Sequence, residues 1–346
     1  MNRPLRISVF TRDDIRLPSP YIRLVQPLSF LKHRASVSVD CGFINGEFVI
    51  DDEKWKSADL VIVARGFPTG DTIDLVRRIK KSGKYLVYET DDAIPLIPEH
   101  HQKPWYKEAA KYVFECARLA DVVTVSTGPL ARVFESHNET VQVIENQLDS
   151  RLWTPQLLES KPRSDGRTRI GVVGSKHHDR DFEILQDAVR STIGKDDGVL
   201  WVAYGDGARD LVRELPPEKS QYVAPNYNYE AHPERLASLG LDIGLCPLFD
   251  DEFNRCKSDI KFLEFGFLGI AGVYSRLPPY ESSVEHRRTG LLCEWLADTW
   301  REMIQLLIAD KTFCNELSRQ AREDVQKKLI THDNNRWNAL LERFQK

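Results

Sequence analysis

The sequence predicts an α/β protein of two doubly wound domains that face a central cleft. Three observations carry this. Short runs of β-branched and aromatic residues alternate with helical patterns along the 346-residue chain. Those runs are apolar at nearly every position, as strands buried on both faces of a parallel sheet are. The alternation stops once, in a polar stretch, and then restarts. A chain of this length also exceeds one ordinary hydrophobic core, so two domains are the prior.

In the first half the strands are LRISVF (5–10), DLVIVA (59–64), YLVYE (85–89), DVVTVS (121–126) and VQVIE (141–145). Helices are expected near 20–33, 70–82, 105–119 and 128–136. The stretch LDSRLWTPQLLESKPRSDGRT (148–168) is rich in Pro, Ser and charge and reads as a linker. Beyond it come RIGVVG (169–174), VLWVAYG (199–205), QYVAP (221–225), DIGLCP (242–247) and AGVYS (271–275). Helices are expected near 180–193, 207–214, 230–239, 258–269 and 296–309, then 312–329 and 334–345. The predicted division is therefore 1–150, a linker at 151–167, a second domain at 168–330, and a C-terminal helix at 331–346 returning to the first domain.

Composition excludes several classes. The net charge of −4 argues against a dedicated nucleic-acid binder. Six cysteines are scattered without a CxxC pair, which fits a reducing compartment and gives no zinc signature. The start MNRPLRISVFT enters a strand without an apolar leader, and no run reaches about 18 apolar residues. The expected location is the cytoplasm, either free or peripheral to the inner face of a membrane. The run LVRRIKKSGK (75–84) carries five cations in ten residues. It reads as a solvated helix face or as a contact with anionic lipid.

In open α/β sheets ligands bind beyond the carboxyl ends of the strands, so the chemistry is sought there. In FNRCKSDIKFLEFGFLG (253–269) an apolar helix from Ile260 on is interrupted by Lys257, Lys261 and Glu264, which fall on one face at helical spacing. Ser258 and Asp259 are cap candidates. Free N–H groups at the helix start, with Lys257 and Lys261, suit a phosphate, and Glu264 suits ribose hydroxyls. The bland alternative is an internal Lys261–Glu264 pair on a partly exposed helix. GSKHHDRDF (174–182) follows a strand. There Gly174 permits close backbone approach to a ligand, and Lys176 suits a diphosphate. The alternative is a capping aspartate, Asp179 or Asp181, beside surface histidines. YGDG (204–207) reads first as a turn. Asp91 and Asp92, in ETDDAIP (89–95), are adjacent carboxylates that suit a base for an acceptor hydroxyl, a magnesium ligand pair, or a turn cap. His100 and His101 read as solvent residues.

The stretch DIGLCPLFDDEFNRCKSDIKFLEFGFLGIAGVYS, with PPYESSVEHRRTGLLC after it, resembles the carboxyl domain of family 4-type ("group 1") glycosyltransferases of the GT-B fold. Bacterial members from surface-polysaccharide gene clusters look most similar. Shorter islands match in order: VYETDDAIP (87–95), ADVVTVST (120–127), IENQLD (144–149) and IGVVGSKHHDRDFEIL (170–185). The resemblance implies a nucleotide-sugar donor, UDP- or GDP-linked, held mainly by the second domain. It implies transfer to a saccharide or lipid-linked acceptor with retention, and no metal or other cofactor. Glu264 matches the second glutamate of the family's E-x7-E motif, which binds the donor ribose. The first falls on Cys256, a departure from the pattern. Asn254 and Lys257, beside it, are taken as replacement donor contacts. His178 and Asp181 match recurrent positions of the subgroup.

The expected catalytic residues are thus Asp91, Asp92, His178 and Lys257. The expected donor contacts are Gly174, Ser175, Lys176, Asn254, Lys257, Ser258, Lys261 and Glu264, and Glu264→Ala is expected to weaken donor binding more than folding. Two rivals stand beside this reading. One is a nucleotide-sugar 2-epimerase of the same fold. The other is a non-catalytic nucleotide-binding partner of a glycosyltransferase, for which Cys256 is the argument.

Overall fold

The computed structural model describes residues 3–31, 35–41, 50–99, 104–159, 165–193 and 198–344. His100 and His101 lie outside them. The chain divides into two compact units. The first holds Met1–Asn146, Cys256–Ser258 and Ile330–Lys346; the second holds Gln147–Arg255 and Asp259–Leu329.

The first unit is built on six parallel strands: β1 (Leu5–Thr11), β2 (Ala35–Cys41), β3 (Leu60–Ala64), β4 (Tyr85–Thr90), β5 (Val122–Val125) and β6 (Val141–Val143). Their spatial order is β2-β1-β3-β4-β5-β6. The order reverses between β1 and β3, and that is where such a sheet opens a crevice at its carboxyl edge. One core layer joins Ile7, Val9, Ile62 and Val87 of the sheet to Leu24 and Leu28. Trp337, Leu340 and Leu341 of the C-terminal helix Trp337–Leu341 pack in the same layer. The helix carrying Leu24 and Leu28 runs Pro18–Ser29 and widens to π geometry over Tyr21–Val25. Such bulges frequently accompany functional sites.

In the second unit a two-residue strand, β7 (Leu148–Asp149), precedes a second parallel sheet. Its strands are β8 (Thr168–Val173), β9 (Val199–Tyr204), β10 (Ser220–Val223), β11 (Ile243–Cys246), β12 (Ala271–Ser275) and β13 (Leu291–Cys293). The order β10-β9-β8-β11-β12-β13 places the reversal between β8 and β11. Successive residues feed opposite layers, as strand geometry requires. Trp201, Ala203, Ile243 and Leu245 enter one core cluster, and Leu200, Val202, Tyr204 and Cys246 enter the other.

Strands β2 and β13 have no counterpart in the sequence reading. The ASVSVDC strand is an edge with a polar residue at alternate positions, and Val37 is exposed. It therefore lacks the continuous apolar signal of its neighbours. The LLC strand is too short to register. The basic run also differs from a strip of unopposed charge. Arg77 pairs with Asp74 and Glu115, Arg78 with Asp52, and Lys80 with Asp121.

Candidate functional site

At the β8–β11 reversal of the second unit, two glycine-bearing loops interlock. The Gly207 N–H donates to the Gly174 carbonyl at 3.3 Å, and the Gly174 N–H to the Tyr204 carbonyl at 3.0 Å. A Cβ on Gly207 would lie 2.0 Å from the Ser175 carbonyl oxygen. One on Gly205, whose φ is +101°, would lie 2.3 Å from that of Gly174. Glycine is therefore required sterically at both positions. The YGDG segment is thus more than a plain turn: it is the seat on which the Gly174–Lys176 loop rests. Ser175 and Lys176 are exposed on that loop.

Behind it lies a polar network. His178 Nδ1 is 2.7 Å from Asp181 Oδ2. The other oxygen of Asp181 accepts the Phe249 N–H at 2.7 Å and the Asn254 side-chain amide at 3.0 Å. Asp181 and Asn254 are buried. The Asn254 amide is therefore turned inward, to Asp181 and to the Phe249 carbonyl. These bonds tie the loop after β8 to the loop after β11 across the reversal point.

Glu264 lies one turn into the helix Ile260–Leu268 and is 2% exposed. Lys261 Nζ donates to its Oε2 at 2.7 Å, and His232 Nε2 stands 3.2 Å from Oε1. Burial on its own would raise the acid's pKa. The charges and hydrogen bonds of Lys261 and His232 override it and hold Glu264 down to about 2. His232 is itself held in a stack, parallel to Tyr204 at 5.7 Å and to Tyr229 at 5.5 Å between ring centroids. Tyr204 closes β9, so the assembly sits toward the carboxyl edge of the sheet. The Lys261–Glu264 pair forms as the bland alternative has it, but it is buried, with a second partner that only the fold supplies.

The stripe containing Lys257 needs correction. The helix begins at Ile260, and Cys256–Ser258 is not helical. Lys257 and Ser258 therefore do not share a helix face with Lys261 and Glu264. They group with the first unit. There the Thr127 hydroxyl donates to the Cys256 carbonyl at 2.8 Å, and the Asn146 amide donates to Ser258 Oγ at 2.9 Å. Lys257 is thus anchored on both sides by the segments that follow β5 and β6. Asp259 occupies the cap position without bonding the helix N–H groups. It accepts instead from Ser283 at 2.6 Å and Lys328 at 3.2 Å.

In the first unit, Asp91 and Asp92 meet Arg65 at the carboxyl edge. Its Nε is 3.0 Å from Asp91 Oδ1, its Nη2 is 2.5 Å from Asp92 Oδ2, and its Nη1 is 3.0 Å from Asp13 Oδ2. Arg65 has φ +47°, an uncommon left-handed conformation for this residue type. Burial opposes its charge, but the three carboxylates hold its pKa well above the usual value. Ser19 bonds Asp91 as well. The Arg65 guanidinium thus sits among three carboxylates. Asp13 follows β1 and Arg65 follows β3, so this cluster marks the reversal of the first sheet.

Sequence reasoning missed Arg65, His232 and the fixing role of Asp181. Arg65 lies in a loop with no motif. His232 opens an ordinary amphipathic helix. For Asp181 two signals were visible, its match with His178 to recurrent positions of the family that the sequence resembles and the i to i+3 spacing of the pair.

No family model matches the chain, and no curated protein matches it. Solved structures do. HepE of Anabaena, in a crystal structure with UDP and glucose, is similar at 13% identity over 99% of each chain, with a TM-score of 0.68. A glycosyltransferase from Rickettsia africae and sucrose-phosphate synthase from Thermosynechococcus elongatus each share 11% identity. Each matches over 99% of this chain and 98% of its own, with a TM-score of 0.66. The likeness is one of fold. The chain has the GT-B fold, with two Rossmann-like domains.

Proposed function

We propose that this chain is a glycosyltransferase that moves a sugar from a nucleotide donor to a saccharide or lipid-linked acceptor in surface-glycan synthesis. One fold hosts many activities, so the site must carry the reading. The observation that carries it is Glu264: a buried carboxylate kept ionised by Lys261 and His232 near the carboxyl edge of the second sheet. An ionised carboxylate with lone pairs to spare is a strong acceptor for a vicinal diol, here the donor ribose. Gly174, Ser175 and Lys176 would meet the diphosphate, with Lys257 and Lys261 supplying positive charge. Stabilising the leaving diphosphate by fixed cations needs no metal; retention of configuration enters the proposal through the sequence resemblance alone. Asp91 and Asp92, held by Arg65, would orient the acceptor. HepE holds UDP and glucose, so a UDP-sugar is the first donor to test.

The test is a thermal-shift and calorimetric screen of UDP, GDP, ADP, CMP and their sugars. A ligand at 100 times its dissociation constant adds about 2.7 kcal/mol of stability. No shift with any nucleotide sugar would overturn the reading. A lipid-linked acceptor would bring the 75–84 run to an anionic membrane. Arg77, Arg78 and Lys80 are already engaged by carboxylates, so binding to vesicles would be weak and salt-sensitive.

Cys256 in place of the first motif glutamate favours a second reading, a non-catalytic nucleotide binder. Slow release of free sugar from a bound nucleotide sugar, without acceptor, would decide for the enzyme. Conversion of the nucleotide sugar to its 2-epimer would decide for an isomerase instead.

A further inference from the structure

We infer that Asp181 is a positioning residue that fixes the tautomer of His178, so that His178 Nε2 accepts a hydrogen bond from a hydroxyl of the donor's sugar. The inference rests on the nucleotide-sugar reading above and assigns a partner within that site. It follows from counting donors and acceptors. Asp181 Oδ1 is occupied by two donors, the Phe249 N–H and the Asn254 amide. This orients the carboxylate and leaves Oδ2 to face His178 Nδ1 at 2.7 Å. A carboxylate only accepts, so the proton of that bond belongs to Nδ1. In the neutral ring the lone pair is then on Nε2. Among the described residues Nε2 has no hydrogen-bond partner, and the His178 side chain is 24% exposed. An accepting nitrogen has nothing to offer a diphosphate oxygen, which also only accepts. It does match a sugar hydroxyl. The loop thereby divides its work: backbone N–H groups and Lys176 for phosphate, His178 for sugar.

The arrangement makes an unusual demand on Asp181→Asn. The Phe249 N–H and the Asn254 amide still require an acceptor on their side, so the new side-chain oxygen stays there. Its NH2 group then points at His178 Nδ1 and needs a lone pair, which forces the proton to Nε2. A buried aspartate-to-asparagine change next to a histidine can leave geometry intact and invert the tautomer in this way.

The experiment reads the ring nitrogens directly. Nitrogen-15 spectra of the histidine-labelled full chain are recorded at alkaline pH, with His178 assigned by difference from His178→Gln. The wild type is expected to show protonated Nδ1 and unprotonated Nε2 at His178, and Asp181→Asn the reverse. In calorimetry with UDP-glucose and UDP as probes, Asp181→Asn should lose roughly tenfold in preference for UDP-glucose, about one hydrogen bond, with UDP affinity kept. A wild-type ring protonated on Nε2 would overturn the inference, even if Asp181→Asn does not fold. So would an unchanged tautomer in Asp181→Asn, or an equal loss of both probes. If neither probe binds the wild type, it is the proposed donor that fails. An Nε2-protonated ring then still refutes the positioning, and an Nδ1-protonated ring that inverts in Asp181→Asn upholds it.

Discussion

Lys261 and Glu264 are joined across one turn of a single helix, Nζ to Oε2 at 2.7 Å, with Glu264 only 2% exposed. This pair makes a pH prediction. The folded-state pKa of Glu264 is depressed to about 2 from an ordinary 4.5. A depressed acid stabilises the fold fully above the unfolded pKa and loses that contribution as pH falls through the folded one. The difference corresponds to on the order of 3 kcal/mol. Stability should therefore drop between about pH 4.5 and 2, and Glu264→Gln should flatten that part of the curve. Urea unfolding at a series of pH values, compared for the two proteins, checks this.

The same burial changes what Glu264→Ala should do. The sequence alone has this change spare folding. In the structure it strands the Lys261 ammonium beside His232 without a carboxylate. Breaking one side of a buried pair costs about 3–5 kcal/mol. The variant should show a lower melting temperature and, where folded, weaker nucleotide binding in calorimetry. Glu264→Ala as stable as the wild type would mean that Lys261 swings out to water.

Arg23 and Glu89 form a second buried pair, Nε to Oε1 at 2.7 Å, at 3% and 0% side-chain exposure. Arg23 also bonds the Ile144 carbonyl at 2.5 Å and the Asn146 side-chain oxygen at 2.9 Å, and Thr124 bonds Glu89. Arg23→Met leaves a carboxylate buried without its cation and should destabilise by about 3–5 kcal/mol. Pairing it with Glu89→Leu should recover much of that loss. Denaturant melts of the two single variants and the double close the cycle.

The interlocked loops make a steric prediction. In Gly207→Ala the new methyl would meet the Ser175 carbonyl at 2.0 Å, against backbone rather than a yielding side chain. The loop must shift, at about 1–3 kcal/mol for overpacking of this kind. Nucleotide-sugar affinity should fall with it, because Ser175 and Lys176 ride on that loop. A melting curve and a calorimetric titration of the same variant separate the two effects.

Much of this fold was legible because its strands are continuous apolar runs: RIGVVG and DIGLCP become β8 and β11, the two strands that flank the reversal point. The glycine loop and Glu264 were legible for a related reason, since glycine and a lone carboxylate in an apolar helix each break a local rule. What stayed hidden depends on distant neighbours. His232 is 32 residues from Glu264, and Arg65 is 52 residues from Asp13. No local periodicity brings such pairs together. The helix start at Ile260 was legible, with Asp259 at the cap, but the polar stripe was carried one turn too far back: Lys257 is compatible with helix, yet Thr127 and Asn146 bond its neighbours within the first unit.

That anchoring bears on the role proposed for Lys257. It is not one step on a helical ladder but the middle of a three-residue segment bonded on both flanks. A lysine whose backbone is fixed so can place charge on a leaving diphosphate with little loss of order on binding. Lys257→Ala should lower turnover with saturating UDP-sugar and acceptor by tenfold or more, as loss of a transition-state charge contact does. UDP affinity should change less, because charge on the leaving group is largest in the transition state. Stability should stay within about 1 kcal/mol, since Lys257 is only half-buried. Lys257→Arg should restore part of the rate, the guanidinium being broader and differently directed. Thr127→Val, which removes the hydroxyl from the Cys256 carbonyl, should reproduce a fraction of the Lys257→Ala defect without touching the cation. The comparison needs rates for all three variants beside the wild type. Wild-type turnover in Lys257→Ala would pass the phosphate role to Lys176 or Lys261, and the anchoring by Thr127 and Asn146 would then serve only to hold the segment in place.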